Sequence, residues 1–197
     1  KWDDIPLFDG NDTLELNPDQ RLLTKKYTER SIQFIEKNKT NPFFLYVPYA
    51  MPHVPLYASK DFDQKSKRGK YGDVIEEIDW SIGEILKSLK RLDLARNTLV
   101  FFTSDNGPWI IKGLKGGSSG LFRDGKGSTW EGGVRVPAIA YWEGAIPAGS
   151  VDMTMTTTLD LKNTAFELAD YSPKETNDGK SLVSLMLKSK SFLNERI

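Results

Sequence analysis

Residues 99–107 read Leu-Val-Phe-Phe-Thr-Ser-Asp-Asn-Gly, and they predict a buried β-strand that ends at a polar turn. Upstream, residues 73–92 carry isoleucine and leucine at helical spacing, which predicts an amphipathic helix. Another apolar run, residues 42–47, precedes that helix and predicts a strand buried on both faces. Strand, helix and strand in this order are typical of a β-α-β unit with parallel strands. The pattern therefore predicts an α/β fold.

The remaining segments extend this prediction along the chain. We expect a turn-rich entry at residues 1–16, helices at 17–37, 158–169 and 181–187, and a third strand at 136–142. Residues 112–133 are rich in glycine and predict a long loop, which inside a compact domain is usually functional or disordered.

Composition excludes several classes of protein. Lysine plus arginine and aspartate plus glutamate each number 27 among 197 residues, so the formal net charge is zero. A general nucleic-acid-binding protein usually carries a basic excess. No apolar run approaches the roughly 18 residues that span a bilayer. The chain has no cysteine, which excludes a disulfide framework, a thiolate metal site and a cysteine nucleophile within it.

Polar residues follow the first two predicted strands. His53, the only histidine, lies in a loop with three prolines after the first strand, and Asp105 and Asn106 follow the second. Ligands of open α/β sheets bind outside the carboxyl ends of the strands. Aspartate and asparagine offer the hard oxygen ligands that Ca²⁺ or Mg²⁺ prefers. The alternatives are that Asp-Asn-Gly is only a turn and that His53 is a packed or surface residue.

Lys126 lies between two glycines, which let the backbone come close to a ligand. Its ammonium is a compact positive charge for an oxyanion. Residues 120–126 also have the spacing of a nucleotide phosphate loop, but Gly127 stands where serine or threonine would hold Mg²⁺, so we reject that reading. A divalent cation, a histidine and a lysine converging on one anion predict displacement at a sulfuryl or phosphoryl centre. No activated nucleophile is evident, and two oxygen ligands are too few for the cation.

Five motifs occur in order along the chain. They are Pro42-Phe43-Phe44-Leu45-Tyr46 running to Met51-Pro52-His53-Val54-Pro55, Thr103-Ser104-Asp105-Asn106-Gly107, Gly125-Lys126-Gly127-Ser128-Thr129-Trp130-Glu131-Gly132-Gly133-Val134-Arg135-Val136-Pro137, Thr157-Thr158-Leu159-Asp160-Leu161 and Asp178-Gly179-Lys180-Ser181-Leu182. Together they resemble the arylsulfatase family over nearly the whole chain. The third motif is specific to sulfatases, whereas the second is shared more loosely with related phosphatases.

The resemblance implies an alkaline-phosphatase-like α/β fold with a mostly parallel central sheet flanked by helices. It implies hydrolysis of aryl or carbohydrate sulfate esters by a formylglycine made from cysteine or serine. Asp105 and Asn106 match the family's Ca²⁺ ligands, with Mg²⁺ also possible, and His53 and Lys126 match residues that bind the sulfate and stabilise the leaving oxygen. The resemblance gives Glu131 and Arg135 a structural role only. It also implies a periplasmic, secreted or lysosomal protein.

This chain departs from the family pattern in one large respect. The family's N-terminal half, with its Asp-Asp metal pair and its Cys/Ser-x-Pro-x-Arg formylglycine motif, has no counterpart here. We therefore expect residues 1–197 to be the C-terminal portion of a sulfatase catalytic domain, with about 142–197 leading into its C-terminal region. We expect the isolated chain to be inactive, and to associate with the missing half or with itself. The alternatives are a non-catalytic module that binds sulfated ligands and a phosphoesterase of the same superfamily.

Overall fold

The structure is a computed structural model that describes residues 4–174 and 178–187. The chain divides into two compact units. The first unit holds residues 1–95 and 106–135, and the second holds residues 96–105 and 136–197. No helix in the described part of the chain is long and apolar enough to cross a membrane.

The first unit begins with a β-hairpin where the sequence predicted only a turn-rich entry. Strands β1 (Pro6–Asp9) and β2 (Asp12–Leu16) pair antiparallel. Gly10 makes the tight turn between them at φ 62°, a conformation that glycine adopts without steric cost. The two strands contain too few apolar residues to show the alternating pattern that identifies a strand from sequence. Phe8, Leu14 and Leu16 are more than half exposed in the structure.

Two helices form the core of the first unit. Helix α1 (Leu23–Asn38) follows a 3-10 turn at Gln20–Leu22, and helix α2 (Gly69–Arg91) packs against α1. Both helices were predicted from their apolar spacing, and both are confirmed. Another short helix, α3 (Glu131–Val134), overlaps the end of the predicted glycine-rich loop, and the 3-10 turns at Ile110–Lys115 overlap its start.

The interface between α1 and α2 mixes apolar and small polar residues. Ile35 of α1 and Val74 of α2 are each 1% exposed. Between the helices the Thr28 and Ser81 hydroxyl oxygens lie 2.5 Å apart, and Tyr49 Oη lies 2.7 Å from the same serine oxygen. These hydrogen bonds satisfy polar groups that burial would otherwise leave without partners.

The predicted apolar stripe of α2 is displaced in the structure. Ile75, one of the isoleucines at helical spacing, is 40% exposed, whereas its neighbour Val74 and the polar Ser81 are buried. The sequence pattern counted only apolar side chains, while the buried face also includes small and hydrogen-bonded polar ones.

The strand predicted at residues 42–47 does not form in the described structure. The segment is extended, and its burial alternates with the period of a strand. Phe43 and Leu45 are partly buried, whereas Phe44 is 78% and Tyr46 75% exposed. A strand requires hydrogen bonds to a neighbouring strand. The local pattern for a strand is therefore present, but no partner strand pairs with it in the described part of the chain.

The second unit contains the other two predicted strands, and they pair with each other. Strands β3 (Val100–Thr103) and β4 (Ala138–Tyr141) are antiparallel, with Val100 opposite Tyr141 and Thr103 opposite Ala138. The predicted β-α-β unit is wrong, because residues 42–47 form no strand in the described structure and β3 pairs with β4 instead. The expected mostly parallel central sheet is not seen in the described residues, whose two sheets have two antiparallel strands each.

The helices of the second unit are joined through Asp160. Helix α4 (Leu159–Leu168) and helix α5 (Val183–Met186) confirm the two helices predicted there. The buried Asp160 carboxylate accepts the Lys180 backbone N–H at 2.8 Å and that of Thr157 at 2.7 Å. Two motifs distant in sequence, the Leu-Asp segment and the Asp-Gly-Lys-Ser-Leu turn, are thereby held together.

Asp73 has a similar role in the first unit. It is 1% exposed, lies in the first turns of α2 and accepts three backbone N–H groups from the preceding loop. The donors are Gln64 at 2.9 Å, Lys65 at 3.0 Å and Ser66 at 2.8 Å. Burial raises the pKa of the Asp73 carboxyl, but these hydrogen bonds and the nearby Lys70 charge outweigh burial, so its pKa lies below the ordinary value.

We predict that Asp73→Asn lowers the free energy of unfolding at pH 7 by about 1–3 kcal/mol, because the charged acceptor of three backbone N–H groups is lost. A folded-state pKa below the unfolded value of about 3.9 stabilises the protein above that pH and ceases to do so as pH falls through the folded pKa. The difference between wild type and variant should therefore shrink below about pH 4. Urea unfolding at a series of pH values measures this.

The control is Asp79→Asn, on the exposed side of the same helix. It should change stability by less than about 0.5 kcal/mol at pH 7. A pH-independent difference between Asp73→Asn and wild type would contradict the assignment of a depressed pKa.

Candidate active site

His53 is presented by a loop that is anchored on both sides. Met51 and Leu56 are buried, and the Tyr57 backbone N–H lies 3.4 Å from Met51 Sδ. The histidine itself is exposed, and its Nδ1 lies 2.8 Å from the Val54 carbonyl oxygen. A carbonyl oxygen only accepts hydrogen bonds, so Nδ1 carries the proton in this contact and Nε2 is the nitrogen available to a ligand.

Asp105 and Asn106 lie just after β3, separated from it by Ser104, in the polar turn that the sequence predicted. The Asp105 side chain is exposed, and Asn106 is half-buried, with its Nδ2 donating to the Gly107 carbonyl oxygen at 2.9 Å. Asp105 is the last residue of its segment of the second unit, and Asn106 begins a segment of the first. Their joint use as metal ligands stays a prediction.

The polar turn after Asn106 is fastened to the glycine-rich motif through the backbone. The Gly107 N–H donates to the Gly133 carbonyl oxygen at 2.9 Å. A Cβ on Gly107 would lie 1.9 Å from the Gly132 carbonyl oxygen, and a Cβ on Gly132 would lie 2.0 Å from that of Asp124. Real Cβ atoms do not approach backbone oxygens this closely, so glycine is required at both positions.

A second backbone contact positions Lys126. Its N–H donates to the Pro108 carbonyl oxygen at 2.8 Å. Gly125 beside it is buried, and a Cβ there would lie 2.4 Å from the same oxygen. The two motifs that sequence analysis singled out, around residues 105–108 and 124–133, thus contact each other through main-chain atoms.

The side chains of His53 and Lys126 meet at Trp109. The His53 ring centroid lies 5.7 Å from that of the Trp109 indole, with the rings tilted by 42°. The Lys126 Nζ lies 5.4 Å from the same indole centroid, within the range of a cation–π contact. Lys126 forms no ion pair in the described part of the chain. The structure therefore brings together two of the four predicted site residues, both on one aromatic ring.

Trp109 and Lys112 are the residues that sequence analysis missed. Lys112 Nζ lies 4.5 Å from the Trp109 indole centroid. The available signal was their spacing, because residues three apart on a helical turn are neighbours, and Lys112 N–H donates to the Trp109 carbonyl oxygen at 2.9 Å.

Glu131 and Arg135, expected to be structural, pair with each other. Glu131 is the first residue of α3, and Arg135 follows the last one, four residues later. Arg135 Nη1 lies 3.2 Å from Glu131 Oε2, and both side chains are largely exposed. The Arg135 guanidinium also lies 4.7 Å from the Phe122 ring centroid. These contacts hold the motif's own loop rather than a ligand.

The donor chemistry fits a calcium ion only in part. Asp105 supplies an exposed carboxylate and Asn106 an amide oxygen, whereas Ca²⁺ takes six to eight oxygen ligands. No group of three or more histidine, aspartate or glutamate side chains that could hold a metal occurs among residues 4–174 and 178–187. For the formylglycine the chain has no fit, because it contains neither cysteine nor a Ser-x-Pro-x-Arg motif.

Comparison with known proteins gives a consistent result. The family profile described as Sulfatase matches residues 3–171. N-acetylgalactosamine-6-sulfatase of Sus scrofa is 41% identical over 200 residues, covering 99% of this chain and 38% of that protein. Steryl-sulfatase of Homo sapiens is 42% identical over 171 residues, covering 83% of this chain and 29% of that protein. The chain thus spans less than two fifths of the length of these curated relatives.

Solved structures show the same likeness. The crystal structure of Ps i-CgsB in complex with k-i-k-neocarrahexaose superposes with a TM-score of 0.82 at 31% identity, covering 93% of this chain and 42% of that one. The PsFucS1 sulfatase from Pseudoalteromonas sp. superposes with a TM-score of 0.81 at 32% identity, covering 85% and 34%. These neighbours have the alkaline-phosphatase-like fold, which confirms the predicted fold class.

We predict that Gly132→Ala lowers the free energy of unfolding by about 1–3 kcal/mol, because its Cβ would overlap the Asp124 carbonyl oxygen and force the two motif backbones apart. Thermal or urea unfolding measures the change.

Gly83→Ala is the matched control, since this glycine lies inside α2 and an added Cβ there would have no atom within 4 Å. It should stabilise the protein by about 0.5–1 kcal/mol through helix propensity. Equal effects of the two substitutions would contradict the close backbone approach.

Proposed function

The chain belongs to the sulfatase family, and from that premise we propose that it supplies part of the active site of an enzyme that hydrolyses sulfate esters. The observation that carries the proposal is the meeting of His53 and Lys126 on the Trp109 indole ring, at 5.7 Å and 5.4 Å from its centroid. His53 can carry a proton, and Lys126 provides a positive charge beside it. Together they suit a reaction in which an anionic group is bound and negative charge develops on a leaving oxygen.

His53 binds the sulfate or protonates the leaving oxygen through Nε2. The Nδ1–H is engaged with the Val54 carbonyl oxygen, which sets the tautomer and holds the ring. As an imidazolium, the ring can donate the Nε2 proton to the alcohol oxygen as its bond to sulfur breaks, and the alcohol leaves neutral.

Lys126 provides charge stabilisation. Its ammonium has no carboxylate partner in the described residues, so its charge is available to an incoming anion. In hydrolysis the ester oxygen leaves with a proton and water replaces it on sulfur, so the products are an alcohol and sulfate. The chain contains neither cysteine nor a Ser-x-Pro-x-Arg motif, so we propose that the group that attacks sulfur lies outside these 197 residues and that the isolated chain has no turnover.

Asp105 and Asn106 are proposed as two of the oxygen ligands of a calcium ion, with Mg²⁺ as the alternative. Support comes from the exposed Asp105 carboxylate and from the position of both residues just after β3. A bound divalent cation would lower the energy of the sulfate's negative charge in the site. The remaining ligands would come from outside these 197 residues.

The substrate is proposed to be a carbohydrate or aryl sulfate ester. Relatives named N-acetylgalactosamine-6-sulfatase and steryl-sulfatase indicate that both a sugar and an apolar ring system occur as substrates within the family. A periplasmic, secreted or lysosomal location is part of the same proposal.

We predict that Lys126→Ala and His53→Ala each lower kcat/KM for a sulfate ester by about 10²–10³-fold in the native protein, because charge stabilisation or proton donation is lost. Steady-state hydrolysis of an aryl sulfate, with the matching phosphate ester as a second substrate, measures this.

Removal of divalent cations with a chelator should abolish turnover, and added Ca²⁺ should restore it.

The control is Lys162→Ala, a lysine whose Nζ also lies over an aromatic ring, 5.4 Å from the Phe166 centroid, but outside the site. It should leave kcat/KM within about twofold. Binding of sulfated compounds without turnover would favour the non-catalytic module, and preferred hydrolysis of the phosphate ester would favour the phosphoesterase. Full activity after chelation would remove Asp105 and Asn106 from the proposal.

We also infer that a polypeptide segment outside these 197 residues covers the extended segment 42–47. Phe44 and Tyr46 expose 78% and 75% of their surfaces on alternate positions, as the open side of a strand would. Apolar side chains in such a row are usually covered by a partner. The relatives' greater length supports an additional segment of the same protein over a second copy.

The isolated chain is predicted to elute from size-exclusion chromatography at about 10 μM as a species larger than 22.3 kDa, because the exposed row self-associates when its partner is absent. Phe44→Ser with Tyr46→Ser should shift it to the monomer. Leu121→Ser, at a fully exposed leucine in another loop, should not. A clean monomer with cooperative melting for the unmutated chain would contradict the inference.

A further inference from the structure

A cleft of about 1160 Å³ opens beside His53 within the first unit. Its walls come from three segments, residues 53–57, 63–73 and 109–115. Sites for drug-sized molecules usually have volumes of about 300–1,000 Å³. The cleft is therefore large enough to hold much more of a substrate than its sulfate group.

The charges lining the cleft do not balance. Of its two carboxylates, Asp63 pairs with Lys70, and Asp73 is buried and accepts three backbone N–H groups. The other two lysines of the lining, Lys112 and Lys115, are exposed and form no ion pair in the described residues. The accessible charge of the cleft is therefore positive, which suits an anionic ligand.

Trp109 joins this cleft to the proposed catalytic pair. One indole ring is contacted by His53 at 5.7 Å and Lys126 at 5.4 Å, and by Lys112 at 4.5 Å from its centroid. His53, Trp109 and Lys112 all line the cleft. A substrate whose sulfate is bound by His53 and Lys126 can therefore extend along the indole to Lys112.

We propose that this cleft binds the part of the substrate next to the reacting sulfate, and that Lys112 and Lys115 hold a second anionic group on it. The inference rests on the proposed function and narrows its substrate class. An aryl or steroid monosulfate carries one anion and leaves these two lysines unused. A carbohydrate chain with a sulfate or carboxylate on the neighbouring sugar presents a second anion beside the first, and its sugar ring can pack on the indole.

The test compares three disaccharides of one backbone in the native protein: one with a single sulfate, one with a second sulfate on the neighbouring sugar, and one with a carboxylate there. The variant is Lys112→Gln with Lys115→Gln. We expect KM for the doubly charged probes to rise about three- to tenfold, with kcat unchanged and the monosulfate affected less than about twofold. Added salt should raise KM more steeply for the doubly charged probes.

Lys90→Gln, at an exposed lysine near the end of α2 and outside the cleft, is the control and should change neither constant. Equal effects of the double variant on all probes, or no effect, would overturn the second-anion site while leaving sulfate hydrolysis intact. If wild type hydrolyses neither these probes nor an aryl sulfate, the proposed function fails instead. Binding of the probes, followed by tryptophan fluorescence, then tests the second-anion site separately. Weaker binding of only the doubly charged probes by the double variant supports the site, and equal binding by wild type and variant contradicts it.

Discussion

The candidate site depends on one backbone contact, between the polar turn after β3 and the glycine-rich motif. Gly107 N–H donates to the Gly133 carbonyl oxygen, and there is no room for a Cβ on either Gly107 or Gly132. Because main-chain atoms touch directly, the turn and the motif cannot shift independently. The position of Lys126, whose N–H donates to the Pro108 carbonyl oxygen, follows from the same approach.

The side chains proposed to act in the site meet at the indole ring of Trp109. Trp109 follows the constrained turn directly, and its indole is shared by His53 and by two lysine ammonium groups. Lys112 and Lys126 each lie over this ring without a carboxylate partner in the described residues, so their charge is available to an anion. The charge of Asp73, by contrast, is not available to a ligand, because its carboxylate accepts three backbone N–H groups. These hydrogen bonds stabilise the loop that forms one wall of the cleft.

The functional groups of this chain fit sulfate recognition better than complete catalysis. His53 and Lys126 are proposed to bind an anion and assist a leaving oxygen, whereas Asp105 and Asn106 would supply only two ligands of the proposed calcium site. The same incompleteness is visible in the fold, where residues 42–47 are extended with alternating exposure but pair with no strand in the described chain. Both features agree with the proposal that this chain is a portion of a larger α/β domain.

Local structure was determined by the sequence itself: helices α1, α2 and α4 follow from apolar spacing, β3 and β4 from short apolar runs, and the polar turn from Asp-Asn-Gly. These elements depend on neighbours within a few residues. Tertiary structure alone decided that β3 pairs antiparallel with β4, that 42–47 forms no strand, and that Trp109 and Lys112 join His53 and Lys126. Periodicity describes one segment at a time, whereas strand pairing and side-chain convergence require two segments distant in sequence to meet.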